Sequence, residues 1–497
     1  MKEIITRFAP SPTGYIHIGN VRSAIYPYLA ARQTDGKFIL RIEDTDQARY
    51  VEGATELIME TLRWLGLEWD EGPEVGGENG PYFQTERKDI YQDWAKKLIF
   101  KGRAYADPTD PETIQKYRDE DNAKKIPYLY RNHRPKEADL SPAGIISLWQ
   151  KGAPIRFKAD PKPRSWHDEV MGDLSAGPEV QDDIILIKKD GLPTYNFAHI
   201  VDDFLMNVNM VARGVEYLPS TPNYLALYEA FDIERPLLVS LPHILAPTGN
   251  KKLGKRDGAK SVTEYRAGGI LPEAMLNYLA CLGWNDGTEQ EIYSKSELLE
   301  KFSISRIQNS GARFDETKLL WMNGQWIRKL VTEQGIDEFF PRTLGFWPKS
   351  ADAYEDDYKK RVLAIIYDRL KTLSDLREMT DYFFSDPKIL PEMILENKFL
   401  KKAGLSESDL EALLETSLSD LETLDDSSWT EENLKTVLNS LLEKTGRKPA
   451  ELFSLIRIAV SFAPFSPALD LTLSVLGRET TLARLRAAKS SLLLDGE

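Results

Sequence analysis

Cysteine is nearly absent: one residue, Cys281, in 497. With no second thiol there is no intrachain disulfide, and a thiolate-rich metal centre is excluded with it. Cys281 lies in the apolar run Tyr278-Leu279-Ala280-Cys281-Leu282-Gly283-Trp284, which reads as core in a reducing compartment. Histidine is scarce too, and His133 and His167 stand alone, so tetrahedral zinc is not expected. No apolar run approaches the ~18 residues a membrane span needs. The first residues show neither a signal-peptide core nor an Arg/Ser-rich transit pattern, so a cytoplasmic protein is expected. Positive charge is in deficit, 64 Lys and Arg against 78 Asp and Glu, for a net charge of −14. This argues against a chain coated in non-specific nucleic-acid contacts. It leaves room for a local basic face.

What is present is too long for one core, and several domains are expected. The textures divide the chain at 1–101, 102–188, 189–325 and 326–497. The first and third stretches mix strands with amphipathic helices. Ile4-Ile5 opens a strand, a helix runs from about Val21 with Pro27 inside it and basic groups on its outer side, and Lys37 to Ile42 reads as a second, parallel strand. Residues 102–188 are dense in charge and Pro pairs, with strands at Ala153 to Lys158 and Ile184 to Lys188, and read as an insertion. In the third stretch, strands are expected at Met206 to Arg213 and Leu238 to Leu245. A helix is expected to open at Ser220-Thr221-Pro222, and residues 260–325 to be mostly helical. Beyond 330 the pattern is helical throughout. Leu434, Val437, Leu438, Leu441 and Leu442 share one face, Ser428 with Glu431 forms a capping box, and Gly446 is the stop. Arg447, Lys448, Arg457, Arg478, Arg484 and Arg486 are candidates for a basic face.

Two short stretches carry the chemistry. The first, Arg7-Phe8-Ala9-Pro10-Ser11-Pro12-Thr13-Gly14-Tyr15-Ile16-His17-Ile18-Gly19-Asn20, runs from a strand through a Gly/Pro turn into a helix. That order presents backbone N–H groups and a partial positive charge to phosphate. The second, Lys252-Leu253-Gly254-Lys255-Arg256, is a short basic loop. Alone, each reads as an ordinary turn or a solvated loop. Together, with Arg41-Ile42-Glu43-Asp44-Thr45-Asp46 between them, they resemble the paired signatures of class I aminoacyl-tRNA synthetases. Within that class they are similar to the bacterial-type glutamyl-tRNA synthetases.

The resemblance implies an α/β, Rossmann-like catalytic domain with an α+β insertion at 102–188. Residues 189–325 would complete it with a stem-contact region, and 326–497 would form an all-α anticodon-binding domain. It implies ATP-dependent ligation of L-glutamate to tRNA(Glu) through a glutamyl-adenylate, with Mg2+ carried on ATP, and a monomer; that no zinc is held rests on the missing cysteine and histidine cluster. His17 and Lys255 become the catalytic pair. Gly19, Asn20, Glu216, Leu245, Lys252, Leu253, Gly254 and Arg256 join them around ATP. Arg7, Ala9, Ser11, Glu43, Tyr195, His199 and Arg213 surround glutamate, with Arg7 and Arg213 matching a carboxylate and Glu43 the ammonium. The chain departs from the family pattern at Asn20, His199, Val215 and Gly254. Charging of tRNA(Gln) as well stays open, because it rests on anticodon contacts in the helical tail near Tyr367 and Arg369. A tRNA-independent nucleotidyltransferase and a catalytically silent tRNA binder are the rival classes. The first has no use for the long tail, and the second would not be expected to keep Arg7, His17, Glu43 and Lys255.

Overall fold

A computed structural model describes residues 2–14, 16–254, 260–463 and 466–492. The chain forms two compact units, Met1–Arg266 with Pro272–Glu316, and Ala267–Leu271 with Thr317–Glu497.

In the first unit, β1 (Thr6–Phe8) pairs in parallel with β2 (Phe38–Leu40), Arg7 lying opposite Ile39. The helix α1 (Ile18–Arg32) makes the crossover, as parallel neighbours require. β1 begins two residues later than the apolar pair suggests. The amides of Ile4 and Ile5 donate to Thr34 Oγ1 and Asn209 Oδ1, side chains that take the place of a ladder. α1 begins three residues earlier than expected, at Ile18, because His17 caps it, and it runs on through Pro27. Its basic side is not all outward: Arg22 is buried, its guanidinium donating to the carbonyls of Leu282 and Pro242.

Helices α2 (Ala54–Trp64) and α3 (Lys88–Phe100) lead into residues 102–188. There β3 (Ala104–Ala106), α4 (Pro111–Ala123), α5 (Pro142–Gln150) and β4 (Ile155–Phe157) precede the hairpin β5 (Arg164–Asp168) and β6 (Gly172–Ala176). β7 (Ile185–Ile187) closes an antiparallel sheet in the order β3–β4–β7. The hairpin carries little apolar signal. Arg164 and Asp168 occupy two of the three buried positions of β5, with Trp166 between them.

The core then resumes with α6 (Tyr195–Leu205), β8 (Met210–Gly214), α7 (Thr221–Phe231) and β9 (Leu237–Leu241). β8 and β9 are parallel, with Arg213 opposite Ser240. β8 starts later than the sequence suggests because α6 runs to Leu205 and Asn207 turns the chain at a positive φ of 56°. Ser220 precedes α7 but makes no capping bond from its side chain, since Val215–Ser220 already forms a 3-10 turn. The apolar run after Leu237 breaks at Pro242, and Ile244–Leu245 pairs separately, in parallel, with Ala312–Arg313. Residues 282–315 are less helical than expected. Gly283, at φ +100°, follows the helix Pro272–Cys281, and Asp286 folds a turn by accepting from the Thr288 amide.

The second unit is helical, with one hydrophobic core that includes Leu434, Leu438 and Leu441. Its helix Glu431–Thr445 is capped by Thr430 rather than Ser428, because Ser428 is held in a turn on Asp425. Gly446 ends that helix at φ +62°. The expected basic face is largely spent on internal bonds. Arg484 is buried and donates to the carbonyls of Tyr382 (2.8 Å), Val460 (2.9 Å) and Ser385 (3.0 Å). Arg478 donates to Leu424 O, Arg457 to Ser466 Oγ, and Arg486 pairs with Glu422.

Candidate active site

The C-terminal ends of β1, β2, β8 and β9 and the start of α1 surround a cavity of about 690 Å³. Ligand sites form at such strand ends in open α/β sheets.

The start of α1 is built around one ring. The Gly19 amide donates to His17 Nδ1 at 3.1 Å, so the imidazole serves as the N-cap. With Nδ1 accepting, the neutral ring carries its proton on Nε2, the donor needed for a phosphoryl oxygen. Gly19 is required here, since a Cβ would come within 2.9 Å of His17 Cε1. Asn20 and Ser23 extend the lining along α1, and Arg22 adds a guanidinium.

Arg7, at the middle of β1, reaches Asp203 Oδ1 at 3.0 Å and the carbonyl of Ala212. Arg41, fully buried, binds the same Asp203 oxygen at 2.8 Å and also Glu43 at 3.2 Å and Asp202 at 3.5 Å. Arg87 reaches Asp202 at 2.8 Å. Burial lifts the Glu43 carboxyl to about 7, although Arg41 and Arg7 pull it down. Burial opposes ionisation of Asp203 too, but there Arg7 and Arg41 win and hold its carboxyl well below the usual range.

Tyr195, at the first turn of α6, and Arg213, in β8, complete this side. Desolvation keeps the Tyr195 hydroxyl protonated far above its ordinary range. Arg213 is partly buried and lies over the rings of Tyr224 (4.6 Å) and Tyr217 (5.7 Å). Among the described residues it has no carboxylate partner. At the opposite rim Glu216 pairs with Lys252 at 2.7 Å and faces His243 at 3.6 Å.

The cavity thus gathers Arg7, Ala9, Ser11, His17, Gly19, Asn20, Glu43, Tyr195, Arg213, Glu216 and Lys252 from distant parts of the sequence. His199 is not on its wall. It is buried and stacked on Tyr195 at 4.9 Å, which leaves it no surface toward a ligand. Leu245 is not in the lining either, its backbone being engaged with Lys252 and Arg313, and His243 and Ile244 stand in its place. Leu253 and Gly254 also lie off the lining. Lys255 and Arg256 lie outside the described residues. Sequence reasoning missed Arg22, Asp203, Tyr217 and His243. Asp203 had a signal, the pair Asp202-Asp203 on an apolar helix face, where acids persist only with partners.

Residues 3–321 match the family described as tRNA synthetases class I (E and Q), catalytic domain, and residues 334–489 match an anticodon binding domain. A glutamate--tRNA ligase of Clostridium botulinum (strain Hall) is 42% identical over 488 residues, 97% of each chain. One from Dehalococcoides mccartyi (strain BAV1) is 39% identical, covering 99% of this chain and 98% of its own. The crystal structure of a glutamate tRNA ligase from Elizabethkingia meningosepticum, in complex with its amino acid, superposes with a TM-score of 0.86. It is 32% identical and covers 99% of this chain and 100% of its own.

Proposed function

As the chain belongs to the glutamate–tRNA ligases, within the class I tRNA synthetases, we propose that it charges tRNA(Glu) with L-glutamate in two steps. In the first, the glutamate α-carboxylate attacks the α-phosphate of ATP and pyrophosphate leaves, giving glutamyl-adenylate. In the second, a hydroxyl of the terminal tRNA ribose attacks the activated carbonyl and AMP leaves.

The observation that carries this reading is Arg213, a guanidinium in the cavity wall without a carboxylate partner among the described residues, beside Arg7 and opposite in charge to Glu43. Arg213 and Arg7 would hold the substrate's side-chain carboxylate through a planar fork, with the Tyr195 hydroxyl beside them. Ionised Glu43 would take the ammonium, and Ala9 and Ser11 would border the amino acid. His17 Nε2–H would donate to the phosphoryl oxygens as charge builds there, and Lys255 is assigned the second cation by motif position. Losing such a donor costs roughly 10²–10³ in rate. Glu216 and Lys252 form the nucleotide rim with Gly19 and Asn20. Once ATP anions compete for Lys252, its pair with Glu216 would open.

Mg2+ is assigned to ATP rather than to the protein. Glu43, Asp46 and Glu216 on the cavity wall are each engaged with a cation, Arg41, Arg49 and Lys252. Among the described residues no group of three His, Cys, Asp or Glu is arranged to hold a metal. When bound with ATP, the ion supplies charge neutralisation on the phosphates. Residues 102–188 are proposed as the inserted domain, 189–325 as the second half of the catalytic fold with its stem contacts, and 326–497 as the anticodon reader. The working form is proposed to be a cytoplasmic monomer. No described helix is long and apolar enough to cross a membrane.

The test is charging of purified tRNA(Glu) and tRNA(Gln) with labelled glutamate and, separately, glutamine. Glutamate on tRNA(Glu) is the expected product. Glutamate on tRNA(Gln) as well would widen the acceptor range. Absence of any glutamate transfer would overturn the reading.

A further inference from the structure

His199 is constrained by its two partners. Nδ1 lies 2.8 Å from the carbonyl oxygen of Tyr195, which can only accept. Nε2 lies 3.3 Å from Nη1 of Arg213, which can only donate. One protonation state satisfies both: the neutral ring with its proton on Nδ1 and a bare Nε2. The ring cannot turn to offer another. It stacks on Tyr195, nearly parallel at 18°, and meets Tyr224 edge-on at 4.6 Å. Burial first, and Arg213 next, press its pKa down to about 3, against the pull of Asp203.

Resting on the reading that Arg213 holds the substrate's side-chain carboxylate, we infer that His199 is a positioning residue whose bare Nε2 fixes the Arg213 fork at the cavity wall. Arg213 is otherwise steadied by the Tyr195 hydroxyl and by the ring faces of Tyr217 and Tyr224, and ring faces resist sliding only weakly. A fork held in plane meets two carboxylate oxygens. It meets an amide badly, because the amide N–H₂ faces N–H donors. His199 therefore acts on the choice of glutamate over glutamine without touching either.

The full-length chain carries the test in three variants, His199→Phe, His199→Gln and Arg213→Ala. The readouts are glutamate KM, ATP KM and the ratio of glutamate to glutamine use. His199→Phe keeps the ring stack and removes the acceptor. Glutamate KM should rise about tenfold or more and the glutamate preference should fall, with ATP KM within about twofold. His199→Gln returns an acceptor near the place of Nε2 and should bring glutamate KM back to within about threefold. A glutamate KM unchanged in His199→Phe while Arg213→Ala raises it would overturn the inference alone. An unchanged value in Arg213→Ala would overturn the pocket reading beneath it. A parallel rise in ATP KM would mark a structural role and overturn it too. ¹⁵N NMR of histidine-labelled wild-type protein tests it without substitution: a neutral Nδ1–H ring is expected, and an Nε2–H ring refutes it.

Discussion

Replacing Arg213 and Arg7 separately distinguishes two guanidinium groups that share a wall but not a job. Arg213 has no carboxylate among the described residues, so Arg213→Ala leaves no acid of the protein unpaired. It gives up ring contacts with Tyr224 and Tyr217 and leaves the buried His199 Nε2 without its donor, so stability should fall by about 1–3 kcal/mol. On the proposed reading, the substrate carboxylate loses its cation instead. Truncating one side of such a desolvated pair costs about 2–5 kcal/mol, roughly 30- to several-thousand-fold in glutamate kcat/KM. Arg7 differs because Asp203 already binds it at 3.0 Å. Arg7→Ala should cost stability as well as glutamate kcat/KM. The stability loss should stay below the ~3–5 kcal/mol of a fully broken buried pair, because Arg41 remains at 2.8 Å. Pairing Arg7→Ala with Asp203→Ala should recover stability without recovering glutamate use. The assays are tRNA(Glu) charging at varied glutamate and at varied ATP, with urea unfolding of the unliganded enzyme. Arg213→Ala within about twofold of wild type in glutamate kcat/KM would refute the pocket assignment, being far below the loss of an unpaired buried charge. Arg7→Ala with unchanged stability would refute the weight given to Asp203.

Gly19→Ala should drive a methyl against the His17 ring, 2.9 Å from Cε1. Charging kcat should fall by roughly 10²–10³, as for loss of one transition-state donor, with glutamate KM little changed. Glu43 titrates near 7, so glutamate kcat/KM should fall to about one tenth between pH 8 and pH 6 as the carboxylate is lost, and Glu43→Gln should flatten that profile. The stability sign is opposite. A carboxyl raised from 4.5 to about 7 stabilises the fold most fully below 4.5 and loses that contribution as pH rises through 7. Its ionisation costs the empty enzyme about 3 kcal/mol in all, of which about 1 kcal/mol falls between pH 6 and pH 8, visible as a higher Tm at pH 6 that Glu43→Gln removes. Arg484→Ala removes donors to two buried carbonyls and one partly buried one and should destabilise the helical unit by about 3 kcal/mol, read as an earlier melting transition.

The sequence shows the strand ends better than the wall between them. Arg7, His17 and Glu43 sit beside short apolar runs and a helical pattern that place them at one sheet edge, and a Gly/Pro turn marks the start of the helix. Helical periodicity tells which face Arg22 and His199 occupy, not what meets them there. Arg22 lies on a face that two distant carbonyls cover, and His199 on one that Tyr195 covers. The β5–β6 hairpin is hidden for a related reason: its buried positions include an arginine paired with the distant Glu229 and an aspartate that accepts from the Val170, Met171 and Ser240 amides. In the helical unit the same blindness made Arg484 look like surface.

The ionic lattice around Asp203 has a further consequence. It sets Arg7, Arg41 and Arg87 against Glu43, Asp202 and Asp203, three cations to three anions when Glu43 is ionised. Arg213, next to this group in the cavity wall, is a fourth cation without an anion among the described residues. This cluster is therefore one negative charge short, and L-glutamate at neutral pH carries one net negative charge. The amino acid would then complete the protein's interior as much as it occupies it. An enzyme bathed in glutamate at a hundred times its dissociation constant should gain about 2.7 kcal/mol against unfolding. In a starved cell the empty form would be the first to open to proteases, so the amount of enzyme would follow the supply of the amino acid it activates.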